Sequence, residues 1–148
     1  MQKIQLATIL RIAAVAHDGQ FDKGGHPYIL HPIAVMNLLD DDVKENELYQ
    51  VTAIGHDLLE DTDITIHQLL EAGIDKAAVE AIVILTKMPG QSYEEYKSKV
   101  KANPITRKVK KADLRHNSDF TRLKGVREKD KQRTAKYMDF FYELSQEV

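Results

Sequence analysis

The stretch from Val51 to Thr62 constrains this chain most, because it joins a helical apolar pattern to a cluster of ionisable side chains. Its apolar residues recur at helical spacing and would face a core: Val51, Ile54, Leu58 and Leu59. Its ionisable residues fill two turns: His56, Asp57, Glu60 and Asp61. Residues three or four apart share a helix face, so these groups would crowd together and resist burial.

A bound cation would resolve this conflict, and the adjacent His56 and Asp57 offer it one nitrogen and one oxygen. We therefore interpret the pair as half of a metal site. The chain of 148 residues contains no cysteine. This excludes disulfides, thiolate zinc sites and thiol catalysis, so the other ligands must be histidines and carboxylates.

His31 is a candidate third ligand. Pro32 suits the first turn of a helix, which places His31 where that helix begins. A hydrogen bond from His31 to a backbone group is an equally good explanation at this point.

Asp113 is a candidate fourth ligand, on a helix face that it shares with Asn117 four residues later. An aspartate among apolar neighbours needs a partner, which could be Lys111, Arg115 or a cation. Two imidazoles and two carboxylates suit manganese, iron or zinc better than calcium or magnesium.

Four protein ligands on an octahedral ion leave positions for water or a phosphate oxygen, and a nearby carboxylate can then accept a proton from the water. Glu60 and Asp61 lie one turn beyond His56 and Asp57, where such a base is needed. The alternative is a solvated acidic helix end, although the helix dipole disfavours acids there. Lys23, in the loop 18–27, is either a contact for an anionic substrate or a solvated lysine.

Helical periodicity and capping signals extend through the chain. The predicted helical segments are 4–17, 30–39, 46–59, 65–73, 75–85, 92–100, 104–123 and 128–147. The last offers four residues for packing: Met138, Phe141, Tyr142 and Leu144. The sequence therefore predicts an all-α fold in which residues 1–148 form one helical bundle of seven or eight helices.

Overall charge and hydropathy exclude several classes of function. The formal net charge is −2, which argues against binding to nucleic acid or to an anionic membrane surface. The apolar runs are too short to span a membrane, and no signal-peptide pattern follows Met1, so we expect a cytoplasmic protein. No glycine-rich phosphate loop or nucleophile motif is present.

Four motifs together resemble RelA/SpoT-type HD hydrolase domains and their small stand-alone relatives, over residues 6–123. The segments 16–20 and 23–32 resemble the family's opening "AHxGQ…K.G.PYi.HP". Residues 55–62 resemble its "HDvvEDT" helix, 85–87 its "vTKl" turn, and 111–117 its "KlADrlHN" helix.

The resemblance implies an all-helical HD fold that binds one divalent ion, usually manganese. The implied metal ligands are His31, His56, Asp57 and Asp113. Glu60 and Asp61 would activate the attacking water, and Asn117 would contact the substrate. The implied reaction is removal of the 3′-pyrophosphate from the nucleotide (p)ppGpp, which yields GDP or GTP and pyrophosphate.

One position departs from the family pattern. The family usually carries Arg-Lys before "G.PY", where the arginine stacks on guanine, and this chain has Asp22-Lys23. An aspartate cannot stack in this way and would repel phosphate. The alternatives are therefore another substrate (an adenine alarmone, a deoxynucleotide or NADPH) or a catalytically silent nucleotide-binding HD module. A homo-oligomer also remains open.

Overall fold

A computed structural model describes residues 2–146 and contains nine α-helices and one 3-10 turn over that range. They are α1 (Ile4–Ala16), α2 (Leu30–Asn37), α3 (Glu47–Gly55), α4 (Leu58–Asp61), α5 (Ile66–Glu71), α6 (Lys76–Leu85), α7 (Tyr93–Ala102), α8 (Pro104–Asn117), the 3-10 turn (Phe120–Arg122) and α9 (Glu128–Ser145). Eight of the α-helices have six residues or more. None of the helices described is both long and apolar enough to cross a membrane. The predicted all-α class is confirmed.

Local capping chemistry fixes several of the helix starts that the sequence predicts. Thr65 and Gln68 form a reciprocal capping box at α5. The Asp75 carboxylate accepts a hydrogen bond from the Ala77 amide at 2.8 Å and caps α6. Pro104 is the first residue of α8, where its missing N–H costs nothing.

The predicted helix over 46–59 is interrupted at its functional end. α3 ends at Gly55, and Asp57 takes φ −105° and ψ 0°, outside the helical region, before α4 begins. Leu58 is fully buried, so the apolar spacing continues across the break and conceals it in the sequence. His56 and Asp57 therefore lie at a bend between two helices.

The carboxyl-terminal part shows two further differences of boundary. α8 ends at Asn117, and Asp119 then accepts hydrogen bonds from the Thr121 amide and hydroxyl, which start the 3-10 turn. The predicted helix over 104–123 is therefore two elements. α9 extends to Ser145, and its predicted last residue, Glu147, lies outside the described residues.

The core is organised around α3, whose last six residues are all buried. Val51 and Ile54 pack with α1, α5 and α6, whereas Ala53 belongs to a second cluster with α2 and α6–α9. Gly55 permits this close packing, because a Cβ there would lie 2.7 Å from Cδ1 of the buried Ile82. The packing of α3 therefore fixes the position of its carboxyl-terminal end.

One face of α9 covers the second cluster. Phe140 and Leu144, four residues apart, are buried, and Phe141 packs beside them. Tyr142 is 62% exposed, so its predicted role in packing is wrong. The segment contains apolar residues on both faces, and packing against α7 and α8 decides which face is buried.

Phe140→Ala should destabilise the protein by about 3–5 kcal/mol, because it removes a fully buried ring. Tyr142→Ala, on the opposite face of the same helix, should change the free energy of unfolding by about 0.5 kcal/mol or less. Urea unfolding followed by circular dichroism measures both. Equal losses in the two variants would contradict the orientation of α9.

Candidate active site

Four of the sequence-predicted site residues converge at one point. His31 comes from the first turn of α2, His56 and Asp57 from the α3–α4 bend, and Asp113 from α8. Nε2 of His31 lies 2.9 Å from Oδ1 of Asp113. Nε2 of His56 lies 3.0 Å from Oδ2 of Asp57 and 3.3 Å from Oδ1 of Asp113. Asp57 exposes 14% of its side chain, and the other three residues are buried.

Hydrogen bonding fixes the orientation of the His56 ring. Its Nδ1 lies 2.6 Å from the Ala53 carbonyl oxygen, so Nδ1 carries the proton and donates it. Nε2 is buried and has no hydrogen-bond partner of suitable geometry among the described residues. Nε2 of His56 therefore faces two carboxylates. His31, His56 and Asp113 offer ligand atoms within 4.8 Å of one another, and Oδ2 of Asp57 lies 3.0 Å from Nε2 of His56 and 3.8 Å from Nε2 of His31, so these four residues could hold a divalent cation.

The electrostatics of the cluster favour a bound positive charge. Burial alone would lower the pKa of His56, but Asp57 and Asp113 outweigh it and raise that pKa well above its usual value. Burial would likewise raise the pKa of Asp113, but Lys110, His31 and His56 lower it well below its usual value. The carboxylates therefore stay ionised and attract a cation.

Asp113 divides its two oxygens between different partners. Lys110 donates to Oδ2 at 3.0 Å from one turn earlier in α8. Oδ1 faces the imidazoles and accepts a hydrogen bond from Asn117 Nδ2, also at 3.0 Å. Lys111 and Arg115, which the sequence offered as partners of Asp113, do not have that role, since Lys111 pairs with Asp40 and Arg115 is exposed. Lys110 balances part of the buried charge and leaves Oδ1 directed at the site.

His116 supports His31, and sequence reasoning missed this role. The Nδ1 atoms of the two rings lie 2.7 Å apart, and the rings stack with their centroids 5.0 Å apart. Burial, with smaller contributions from Arg122 and His31, lowers the pKa of His116 to about 4. His116 is therefore neutral and can accept the His31 Nδ1 proton, which turns His31 Nε2 toward Asp113. Neither ring nitrogen of His31 bonds the backbone, so that alternative is also wrong.

Tyr28 is a second supporting residue that the sequence analysis did not assign. Its hydroxyl donates a short hydrogen bond to Oδ2 of Asp57. Burial and the Asp57 charge raise the pKa of Tyr28 well above its usual value, so the hydroxyl remains a donor. The sequence offered one signal for this role, which is the spacing of three residues between Tyr28 and His31. That spacing places two residues on one face only within a helix, and Tyr28 lies outside α2.

Glu60 and Asp61 stand on α4 at the edge of this cluster. One carboxylate oxygen from each lies within 4.8 Å of the other and of Asp57. Partial burial and the Asp57 charge raise the pKa of both carboxyls, which makes them better proton acceptors. Gln20 holds α4 by donating from Nε2 to the Asp61 carbonyl at 2.9 Å, while its Oε1 lies 2.8 Å from His17 Nδ1.

A cleft of about 280 Å³ opens beside the cluster. His31 and Tyr28 line its inner end, and Lys23 and Asn117, the two predicted substrate contacts, line its sides. Arg122 and Arg133 also border it, as do Asp22 and Asp119, so the walls carry three cationic and two acidic side chains.

Asp22 has a structural role in this cleft. Its Oδ1 accepts hydrogen bonds from the backbone N–H groups of Gly24 and His26, each at 2.9 Å. Its Oδ2 lies 3.4 Å from Nη2 of Arg122. Burial would raise the pKa of Asp22, but these partners lower it overall. Its negative charge is thus engaged by the loop and by Arg122 instead of facing the cleft freely.

Comparison with known proteins agrees with these motifs, although no family model matches the chain. A guanosine-3′,5′-bis(diphosphate) 3′-pyrophosphohydrolase of Haemophilus influenzae is 43% identical over 60 residues, which are 40% of this chain and 9% of that protein. A probable GTP pyrophosphokinase of Mycobacterium leprae is 29% identical over 126 residues, 78% of this chain and 16% of that protein. The matches therefore cover less than one fifth of these relatives.

A solved structure described as a metazoan ortholog of SpoT that hydrolyses ppGpp has the same fold. It superposes with a TM-score of 0.74 at 20% identity, covering 95% of this chain and 84% of that one. These comparisons confirm the resemblance to the RelA/SpoT type of HD hydrolase domain.

His116→Ala should weaken metal binding by about tenfold or more, because His31 would lose the partner that orients it. Competition of the protein with a chromophoric chelator for Mn²⁺ measures this affinity. His67→Ala is the matched control, since His67 is exposed and pairs only with Glu71 on the surface. An unchanged affinity in His116→Ala would show that the contact between the two rings does not support the site.

Proposed function

We propose that this chain is a metal-dependent phosphohydrolase that hydrolyses (p)ppGpp to GDP or GTP and pyrophosphate. One water is consumed, and the bond that breaks joins the 3′-oxygen of the ribose to phosphorus. The observation that carries the proposal is a buried His/Asp cluster that has two carboxylates of raised pKa beside Asp57 and that reaches a cleft through His31. The names of the relatives supply the substrate.

His31, His56, Asp57 and Asp113 would hold the ion. Two imidazoles and two carboxylates suit manganese, iron or zinc, and we propose manganese because the resemblance implies it. When bound, such an ion acts as a Lewis acid that lowers the pKa of water and offsets negative charge on the phosphoryl group. Tyr28, Lys110 and His116 keep the ligands oriented through the hydrogen bonds described above.

Glu60 and Asp61 act as proton acceptors for the attacking water. Both are exposed, so water reaches them, and both have raised pKa values. Two carboxylates beside Asp57 repel one another, and accepting a proton relieves that repulsion. Lys23, exposed on the cleft rim, and Asn117 contact the substrate in this proposal.

We infer that the chain forms one domain that carries this activity. Both halves of the core include residues of α3, and the ligands come from α2, the α3–α4 bend and α8. The donor set is thus complete within residues 31–113. The partner is a small nucleotide.

A second substrate is worth testing because position 22 differs from the family pattern. Mn²⁺-dependent release of pyrophosphate from (p)ppGpp, abolished by chelator, is the expected result when purified protein is assayed beside adenine alarmones, deoxynucleotides and NADPH. Turnover of another nucleotide without turnover of (p)ppGpp would retain the chemistry and reject the substrate.

Asp113 and Glu60 should respond differently to substitution. Asp113→Asn should remove both metal binding and activity, because it takes away a charged ligand at the centre of the cluster. Glu60→Gln should retain the metal and lower kcat by about 10²–10⁴-fold, the range of general base catalysis. Chelator competition and steady-state kinetics separate the two effects. Equal loss of metal in both variants would contradict the assigned roles.

A further inference from the structure

We propose that Arg122 is the platform on which the base of the nucleotide stacks, so that it determines specificity at the outer part of the cleft. Arg122 belongs to the 3-10 turn and lines the cleft together with Tyr28 and His31. The choice of a nucleotide as ligand rests on the proposed function. The position and the chemistry of the platform rest on the contacts of Arg122.

Three acceptors hold the Arg122 guanidinium in one orientation. Nη1 donates to the His116 carbonyl oxygen at 3.0 Å and to Asn117 Oδ1 at 3.2 Å. Nη2 donates to Asp22 Oδ2 at 3.4 Å. Bonds from two nitrogens in different directions prevent the flat group from turning, unlike a solvated surface arginine.

These bonds engage three of the five N–H groups of the guanidinium and none of them uses its flat face, while the side chain is still 20% exposed. The face of an arginine stacks on flat aromatic systems, and every nucleobase has such a surface. Because most of its edge is engaged, we expect Arg122 to offer its face to a base more readily than its edge to a phosphate.

The wall behind Arg122 is rigid because two chain segments press directly against each other. A Cβ on Gly24 would lie 2.2 Å from the Arg122 carbonyl oxygen, so only glycine permits this approach. Asp22 ties the loop to itself through two backbone amides and to the turn through Arg122. The acidic residue at position 22 thus anchors an arginine supplied by another segment.

The platform lies at a suitable distance from the proposed reaction centre. Asn117 accepts from Arg122 and donates to Oδ1 of Asp113, so one side chain separates the platform from the metal cluster. A base on Arg122 would leave the sugar and its phosphates to extend along the cleft. Lys23, whose side chain is exposed on the rim, can meet those phosphates.

Calorimetric titration of the full chain with GDP tests this proposal, with inorganic pyrophosphate as the ligand that lacks a base. We expect Arg122→Ala to weaken GDP binding about tenfold and to leave pyrophosphate binding unchanged. Arg122→Lys should bind GDP no better than Arg122→Ala, because lysine keeps the charge but has no flat face. Arg11→Ala, an exposed arginine on α1, is the matched control and should bind as the unchanged chain does.

Several outcomes would overturn the proposal. Restoration of GDP affinity by lysine would show that charge alone matters, and equal loss of pyrophosphate binding would make Arg122 a phosphate ligand. Unchanged GDP affinity, or no GDP binding by the unchanged chain, would also reject it. If Arg122→Ala fails to fold, Asp22→Asn provides the test, since asparagine can still accept from the loop amides. It should weaken GDP binding severalfold, because Arg122 would be held less firmly, and no effect would reject the platform.

The two proposals fail in different ways. Hydrolysis of (p)ppGpp with a KM unchanged in Arg122→Ala would reject the platform and retain the proposed function. GDP binding that depends on Arg122, in a protein that hydrolyses no nucleotide, would retain the platform and reject the proposed function.

Discussion

The burial of Asp113 is the constraint on which the rest of the structure depends. A carboxylate with almost no exposure is very unfavourable unless positive charge and hydrogen bonds surround it. Lys110, Asn117 and two imidazoles supply these partners from α8, α2 and the end of α3. The three segments must therefore pack so that their polar ends meet, which fixes the geometry of the site as a condition of folding.

The central helix meets this condition by being buried on all sides. The last six residues of α3 are buried, and the close contact of the helix with Ile82 is possible because Gly55 has no side chain. A helix held in this way cannot rotate or slide without disrupting two apolar clusters. The bend that follows it then places His56 and Asp57 with little freedom, as a preorganised site requires.

Much of this site could be predicted from residue types and spacing, but the supporting contacts could not. Capping residues such as Thr65 and Asp75 act within a few residues, so the helix starts are visible in the sequence. The break after Gly55 was not visible, because buried Leu58 continues the apolar spacing. The His116, Tyr28 and Arg122 contacts join segments that lie far apart in the chain, and no local pattern encodes such a meeting. The role of Asp22 was equally hidden, because its partner Arg122 lies far away in the sequence.

The two functions of His116 carry a consequence of their own. Its ring supports His31, while its backbone carbonyl holds Arg122. A ligand that orders the end of α8 through the ring of His116 also orders the carbonyl that holds Arg122, and the converse holds as well. Thermodynamic linkage requires the effect of each ligand on the other to be equal. If the two proposals hold, metal and nucleotide would bind with positive cooperativity, each increasing the affinity for the other by the same factor. The supply of metal would then set how tightly such a protein holds its nucleotide.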